Sequence, residues 1–250
     1  MGKQTTSWSN SAEWYDKLLS EEGTYQKDLI LPNLLRLMEI KKGEIVLDLA
    51  CGQGFFSREF YKKGAHVIGA DISKKLIDIA RNKSPKEIRF EAAPADNLKF
   101  LPNKSANKIT VVLAIQNMEN ITGVFSECRR VLKTEGKLFI VMNHPAFRVL
   151  KKSSWEYDEK NKVQYRRIDE YISESKEKIL MHPGESDEST ISFHRPLQFY
   201  FKALNKGGFC VSRLEEWTSN KKSQPGPRSV AENKARKEIP LFLFIEAVSI

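Results

Sequence analysis

Short apolar runs of strand length recur along the chain, and amphipathic segments of about three helical turns separate them. The predicted strands cover residues 44–49, 66–71, 88–92, 109–115, 137–143, 209–214 and 241–248. The predicted helices cover 11–38, with interruptions at Gly23 and Pro32, and then 56–63, 74–82, 122–132 and 197–205. Strands that alternate with helices are typical of parallel sheets covered on both faces. The sequence therefore predicts an α/β fold with a doubly wound, mostly parallel seven-stranded sheet, in which the last strand is central or antiparallel.

The alternation of strands and helices breaks between residues 145 and 196. Apolar and aromatic residues stand at every second or third position over 163–172, and 190–194 is a candidate antiparallel partner for that stretch. Because the apolar content is too low for a separate core, we interpret this segment as a lid inserted in a single domain. That domain comprises an N-terminal helical cap (1–40), a ligand-binding core (41–144), the lid (145–196), and the remaining core helix and strands (197–250).

A glycine-containing turn follows the first predicted strand. Ala50, Cys51, Gly52 and Gly54 allow the chain to turn tightly and bring its backbone close to a ligand. The helix that follows offers unpaired N–H groups at its start. On its own the turn does not choose between ligands, because dinucleotide-binding proteins use a related turn for pyrophosphate.

Three carboxylates around this turn favour a methyl donor over a dinucleotide. Asp48 precedes the turn, where it would repel pyrophosphate but pair, directly or through water, with the ammonium group of a methionine moiety. Asp71 ends the second strand, where a carboxylate can accept both hydroxyl hydrogens of a ribose. Asp96 follows the third strand and is placed to accept from the exocyclic amine of adenine, with Leu98 or Ile72 against the ring.

These residues resemble the motifs of the class I S-adenosylmethionine-dependent methyltransferases. Residues 48–54 are similar to the glycine-rich first motif of that family, in the Asp-Leu-Ala-Cys-Gly form common among its small-molecule members. Asp71 falls at the family's ribose-binding position, and Asp96 with Asn97 falls at its adenine-contacting pair. Residues 130–138 resemble the stretch before the family's fifth strand. The resemblance covers roughly residues 31–143, and a Rossmann dehydrogenase is the structural alternative.

The resemblance implies an enzyme with a Rossmann-like methyltransferase fold and S-adenosyl-L-methionine as its cofactor. The residues expected to contact this cofactor are Asp48, Ala50, Cys51, Gly52, Gly54, Asp71, Ile72, Asp96, Asn97, Leu98, Ala114 and Tyr25. The chain departs from the family after the fourth strand, where a histidine is usual and Gln116 and Asn117 stand instead. The identity of any general base is therefore open.

His144 and His194 are the candidates for a general base, which is needed only if the acceptor arrives protonated. His144 directly follows the fifth strand, and ligands in open α/β sheets bind beyond the carboxyl ends of strands. His194 lies where the lid rejoins the core. The alternative for each is a histidine hydrogen-bonded in a structural turn. Gln116 either orients a polar acceptor or satisfies backbone groups at the end of the fourth strand.

The lid carries aromatic side chains that suit a planar or apolar acceptor, or that form the lid's own core. They are Trp155, Tyr157, Tyr165, Tyr171 and Phe193. We expect in-line methyl transfer to an O, N or S atom of a small molecule. The alternatives are an RNA methyltransferase and a non-catalytic cofactor-binding protein.

The RNA alternative depends on charge. The chain carries a formal net charge of +9, and residues 219–237 hold six basic residues against one acidic residue. We interpret that segment as a solvated, mobile connection, with a phosphate-facing strip as the alternative.

Cysteine spacing and the absence of long apolar runs argue against a metal-binding, disulfide-rich, membrane-spanning or secreted protein. Cys51, Cys128 and Cys210 are far apart and show no zinc or disulfide spacing, and no metal site is predicted. No apolar run approaches the roughly 18 residues needed to cross a bilayer, and the first ten residues lack the apolar segment of a secretory signal. We expect a cytoplasmic protein without a membrane partner. The sequence leaves the oligomeric state open.

Overall fold

The computed structural model describes residues 22–180 and 189–250. The first part of the predicted N-terminal helix, from Ser11 onwards, lies outside these residues. The described chain enters through a π-helical turn, Gln26–Ile30, which continues directly into an α-helix. Pro32 stands in the first turn of that α-helix, and the carbonyl of Asp28, four residues earlier, accepts from the side chain of Asn220. Pro32 therefore lies at the change from π-helix to α-helix and does not end the helical segment.

The described residues form six α-helices and eleven strands. In chain order the helices are α1 (Leu31–Met38), α2 (Phe55–Lys62), α3 (Lys74–Lys83), α4 (Ile121–Val131), α5 (Leu197–Lys206) and α6 (Ser229–Glu238). The strands are β1 (Ile45–Leu49), β2 (His66–Asp71), β3 (Arg89–Ala92), β4 (Ala106–Val112), β5 (Leu132–Asn143), β6 (Ser153–Asp158), β7 (Val163–Ile168), β8 (Ser175–Leu180), β9 (Ser189–His194), β10 (Phe209–Trp217) and β11 (Phe242–Ser249).

Seven of the strands form one sheet in the order β10-β11-β5-β4-β1-β2-β3. Strands β1 to β5 pair in parallel, and β11 lies antiparallel between β5 and β10. This arrangement confirms the predicted doubly wound, mostly parallel sheet and its antiparallel last strand. The strand order reverses between β1 and β4, and ligands of open α/β sheets bind beyond the carboxyl ends of strands at such a point.

Both faces of the sheet are covered by helices. Alternate side chains of β1 point to opposite faces: Val46 packs with α1, α2 and α3, whereas Leu47 packs with α4 and α5. Fully buried phenylalanines fill each side, Phe60 of α2 on the first face and Phe125 of α4 on the second. This packing fixes the carboxyl ends of the central strands as a rigid edge.

The lid forms two separate antiparallel hairpins. β6 pairs with β7, and β8 pairs with β9. The expected pairing of 190–194 with 163–172 is therefore wrong. Each strand pairs with the strand next to it in sequence, because closing a shorter loop costs less conformational entropy. Both hairpins carry few fully buried side chains, as the low apolar content predicts.

The second half of the basic segment 219–237 is helical, so its interpretation as a mobile connection is wrong there. Residues from Ser229 onwards form α6, whose Ala235 is buried. Before this helix, Arg228 pairs with Glu159 of the lid and lies over the ring of Tyr157, 4.5 Å from its centroid. No helix within the described residues is both long and apolar enough to cross a membrane.

Candidate active site

A cavity of about 740 Å³ opens at the carboxyl ends of β1, β2 and β4. Its volume is ordinary for a site that holds a cofactor-sized ligand. Six of the residues that the sequence associates with cofactor binding line it. They are Ala50, Gly52, Asp71, Ile72, Asp96 and Ala114.

The turn after β1 is shaped by three residues in the left-handed region of backbone space. Gly52 and Gly54 have φ of 56° and 79°, and Ala50 has φ of 58°. Glycine adopts such angles freely, whereas Ala50 holds a conformation that costs on the order of 1 kcal/mol. The N–H of Cys51 donates to the carbonyl of Ala70 at 3.0 Å, which ties the turn to β2. Strain held in this way is typical of backbone positioned for a ligand.

Asp71 sits at the end of β2 with both carboxylate oxygens engaged by backbone amides. Gly52 N–H donates to Oδ2 at 2.9 Å, and Ser73 N–H donates to Oδ1 at 2.8 Å. Burial raises the pKa of Asp71, and these two hydrogen bonds oppose that rise. Each oxygen keeps a further lone pair, and the residue lines the cavity. A ribose diol, with two adjacent hydroxyl donors, fits this carboxylate.

Asp48 and Cys51 do not line the cavity, although both lie in the predicted motif. The Asp48 carboxylate is buried, and it accepts from the hydroxyls of Ser57 at 2.6 Å and Thr110 at 3.3 Å. Burial raises the pKa of Asp48 to about 6, despite these hydrogen bonds. The side chain thus links β1 to α2 and β4. Burial also raises the pKa of the Cys51 thiol.

The loop after β3 contributes one wall of the cavity. Asp96 lines it, and its Oδ2 accepts from the Asn120 amide at 2.8 Å. Ile72 is 42% exposed and also lines the cavity. Leu98 is fully buried in the core, and neither it nor Asn97 is part of the cavity wall. Of the two apolar side chains expected against an adenine ring, only Ile72 lines the cavity.

A second cavity of about 630 Å³ adjoins the first. Leu113, Asn117 and Thr190 line both cavities. Leu113 has φ of 53°, and this left-handed residue ends β4 three residues earlier than the apolar run predicts. The side-chain amide of Asn117 donates to the carbonyl of Ile191 at 2.9 Å, which fixes β9 of the lid against the core. The two cavities thus meet at the end of β4, under the lid.

Two of the three predicted catalytic candidates line the second cavity. His194 Nε2 lies 2.8 Å from the Tyr171 carbonyl, to which it donates. Because a carbonyl only accepts, Nε2 carries a hydrogen. The Gln116 Nε2 donates to the Leu113 carbonyl at 2.8 Å, whereas its Oε1 is buried without a donor in the described part of the chain.

His144 lines neither cavity, contrary to its place as first candidate. Its ring is 1% exposed and packs against Phe147. Nδ1 accepts from the Ala146 N–H at 3.2 Å, so Nε2 carries the hydrogen that is donated to Glu216 at 2.7 Å. Burial lowers the pKa of His144, which keeps the ring neutral at pH 7. With both nitrogens occupied, His144 has the geometry of a histidine in a structural turn.

Tyr25 also lies outside both cavity walls. Its hydroxyl is 2.8 Å from the Ser219 hydroxyl, its ring meets Phe242 edge-on, and Lys221 lies 4.6 Å from its ring centroid. Tyr25 therefore packs among aromatic residues between the N-terminal cap and the last strands. The adjacent Gln26 lines the second cavity, which no sequence motif indicated.

Comparison with known proteins agrees with this geometry. A family model described as a methyltransferase domain matches residues 47–140. A crystal structure of an S-adenosylmethionine-dependent methyltransferase from Mesorhizobium loti superposes with a TM-score of 0.68 and 25% identity. That superposition covers 86% of this chain and 95% of the other.

Two curated relatives extend the comparison in sequence. An uncharacterized protein of Haemophilus influenzae is 29% identical over 215 residues, which is 83% of each chain. A demethylmenaquinone methyltransferase of Tropheryma whipplei is 35% identical over 113 residues, which is 44% of this chain and 46% of that enzyme. The motifs around Asp71, the sheet order and these matches agree: residues 47–140 match a methyltransferase domain, and the protein is an S-adenosylmethionine-dependent methyltransferase.

Proposed function

We propose that this enzyme transfers a methyl group from S-adenosylmethionine in the first cavity to an O, N or S atom of a small molecule in the second. The observation that carries the proposal is the contact between the two cavities at Leu113, Asn117 and Thr190. When bound, S-adenosylmethionine supplies an electrophilic methyl group on a sulfonium. Displacement at such a carbon gains most from alignment of the reactants, which two adjoining cavities on a rigid sheet edge provide.

The residues of the first cavity have binding roles in this proposal. Asp71, already oriented by two backbone amides, accepts the two ribose hydroxyls. Asp96 accepts from the adenine amine, and Ile72 packs on the ring. Ala50 and Gly52 bring the strained backbone of the turn close to the methionine end.

The residues of the second cavity act on the acceptor. His194 Nδ1 takes a proton from the acceptor nucleophile, because the hydrogen bond from Nε2–H to Tyr171 fixes the ring in the tautomer that leaves Nδ1 free to accept. Gln116 lines the same cavity, and its side-chain amide is held in place by donation from Nε2 to the Leu113 carbonyl.

Two observations support a small molecule over RNA. The second cavity has a volume typical of sites for small ligands. The basic segment 219–237 includes a helix whose flanking Arg228 is engaged by Glu159 of the lid. The Tropheryma whipplei relative, whose name states that it methylates demethylmenaquinone, is consistent with a small acceptor.

Titration calorimetry tests the cofactor half of the proposal. The protein is titrated with S-adenosylmethionine, S-adenosylhomocysteine and NAD. We expect micromolar binding of the first two, none of NAD, and a loss of at least about 100-fold for Asp71→Ala, since two charge-assisted hydrogen bonds are removed. Asp78→Ala is the matched control, because Asp78 lies on the exposed face of α3 with its side chain 53% exposed. Equal affinity in both variants would contradict the placement of the ribose.

Release of S-adenosylhomocysteine in the presence of acceptor pools tests the second half. We expect release with a fraction of small metabolites and none with total RNA. Release with RNA alone, weakened steeply by salt, would replace the proposal with the RNA alternative.

A further inference from the structure

The second cavity is positively charged. The basic residues in its wall are Arg148, Lys151, Arg166 and Arg195, and the described lining includes no carboxylate. Lys151 is neutralised by Glu177 at 2.7 Å. Arg195 donates to two backbone carbonyls and lies within 4.0 Å of a carboxylate at the rim. Arg148 and Arg166, in contrast, have no carboxylate partner among the described residues.

Arg166 and Arg148 have only neutral hydrogen-bond partners in the described part of the chain. Arg166, on β7, donates to the Phe147 carbonyl at 2.9 Å and to the Ser153 hydroxyl at 2.7 Å. Arg148 donates to the side-chain oxygen of Asn143 at 2.9 Å. Neither forms an ion pair with a carboxylate among the described residues.

The two guanidinium groups also repel each other. Burial lowers the pKa of the half-buried Arg166, and the charge of the more exposed Arg148 contributes to that lowering. Like charges on one cavity wall repel each other, and an anion that binds both reduces this repulsion. Arg166 is held in place by its hydrogen bonds and by the ring of Trp155, 5.3 Å from its guanidinium carbon. A planar fork fixed in this way matches a carboxylate or a phosphate.

We infer that Arg148 and Arg166 bind an anionic group, a carboxylate or a phosphate, on the methyl acceptor. The inference rests on the proposed function, because it concerns the same second cavity. Apolar side chains also line that cavity: Val149, Leu150, Ile179, Leu180 and Phe193. The acceptor is therefore a small acid with an apolar body, whose anionic group lies at the arginines and whose nucleophile lies towards Leu113 and the first cavity.

Three small probes that share a benzene ring test this inference. Benzoate, phenyl phosphate and uncharged benzamide are titrated separately by saturation-transfer NMR into the protein with S-adenosylhomocysteine present. We expect one or both anions to bind at least about fivefold more tightly than benzamide, and the preference to fall at high salt. The anion that binds more tightly identifies the anionic group of the acceptor as a carboxylate or a phosphate. If neither anion binds more tightly than benzamide, the inference is wrong.

Three variants assign the binding to these side chains. Arg148→Gln and Arg166→Gln should each weaken the preferred anion about tenfold and leave benzamide unchanged. Arg167→Gln is the control, because it removes the same charge from the next position of β7. Its side chain is 55% exposed and pairs with Asp169 and Glu156. Equal weakening in all three variants would overturn the assignment in favour of a general charge effect.

Failure of the inference is distinguishable from failure of the proposed function. Binding of S-adenosylhomocysteine is measured first in each variant and should be unchanged, since neither arginine lines the first cavity. If the cofactor binds and the anions do not, only the inference fails. If the cofactor does not bind wild-type protein, the proposed function fails. Arg148→Gln keeps the test valid should Arg166→Gln unfold, because Arg148 has a single hydrogen bond to a neutral side chain.

Discussion

The buried carboxylate of Asp48 makes this fold less stable at neutral pH than it would be with a neutral side chain. Burial raises the pKa of Asp48 from 3.8 to about 6, which corresponds to roughly 3 kcal/mol of unfavourable free energy once the group is ionised. Asp48→Asn removes the charge and keeps the shape. The amide oxygen can still accept from Ser57, and the amide nitrogen can donate to Thr110, whose hydroxyl then turns to the Leu47 carbonyl.

The sign of the pH dependence follows from the direction of this shift. Because the folded-state pKa lies above the unfolded one, the folded protein binds a proton that the unfolded chain does not between pH 3.8 and about 6. The penalty from Asp48 is therefore complete above pH 6 and is lost as the pH falls towards 3.8. We expect Asp48→Asn to be more stable than wild type by up to roughly 3 kcal/mol at neutral pH, and equal to it near pH 4.

Urea unfolding followed by tryptophan fluorescence at several pH values measures this difference. The stability difference between variant and wild type cancels the titrating groups that do not interact with Asp48; Asp71, whose charge contributes to the raised pKa of Asp48, is the exception. Asp78→Asn, an exposed carboxylate on α3, should change stability by less than about 0.5 kcal/mol at every pH. A difference for Asp48→Asn that does not vary with pH, or a less stable variant at neutral pH, would refute the reasoning. Cofactor affinity should change by less than about threefold, since Asp48 does not line the cavity.

Three further predictions address packing, the candidate base and the lid. Gly69→Ala should destabilise the fold by about 1–3 kcal/mol in urea unfolding, because its Cβ would lie 2.5 Å from the Phe90 ring. With an acceptor in hand, His194→Gln should lower kcat about 100-fold, because it removes the proposed general base. His144→Gln should lower the melting temperature and leave kcat unchanged; the opposite result would make His144 the base and His194 the structural histidine. Lys162→Gly should stabilise the β6–β7 hairpin by about 0.5–1 kcal/mol in urea unfolding, because φ there is 55°.

The cofactor half of the site could be predicted from the sequence because its residues are close in the chain. The turn from Ala50 to Gly54 follows one strand, Asp71 ends the next, and Asp96 follows the third. Parallel strands place their carboxyl ends at one edge, so strand order alone brings these residues together. Burial is harder to predict from a linear motif. Asp48 and Leu98 belong to the same motifs but point into the core.

The acceptor half could not be predicted in this way. His144 follows β5 directly, yet the turn buries its ring against Glu216, a residue of β10 that is remote in sequence. The pairing within the lid could not be chosen from periodicity, because apolar and polar residues alternate in β6, the observed partner of β7, as they do in β9, the expected one. Gln26 and Arg148 carry no motif and reach the second cavity only through tertiary packing.

The position of the family match explains why membership leaves the acceptor open. The methyltransferase model ends at residue 140, within β5, and therefore spans the Asp71 side of the cleft. Arg148, Arg166 and His194 all follow it in the chain, and the fold brings them to the end of β4 from three different segments. The use of S-adenosylmethionine as methyl donor requires only the residues on the Asp71 side of the cleft. Discrimination among acceptors is a difference in binding energy, and the charged wall of the second cavity is where this chain can generate it.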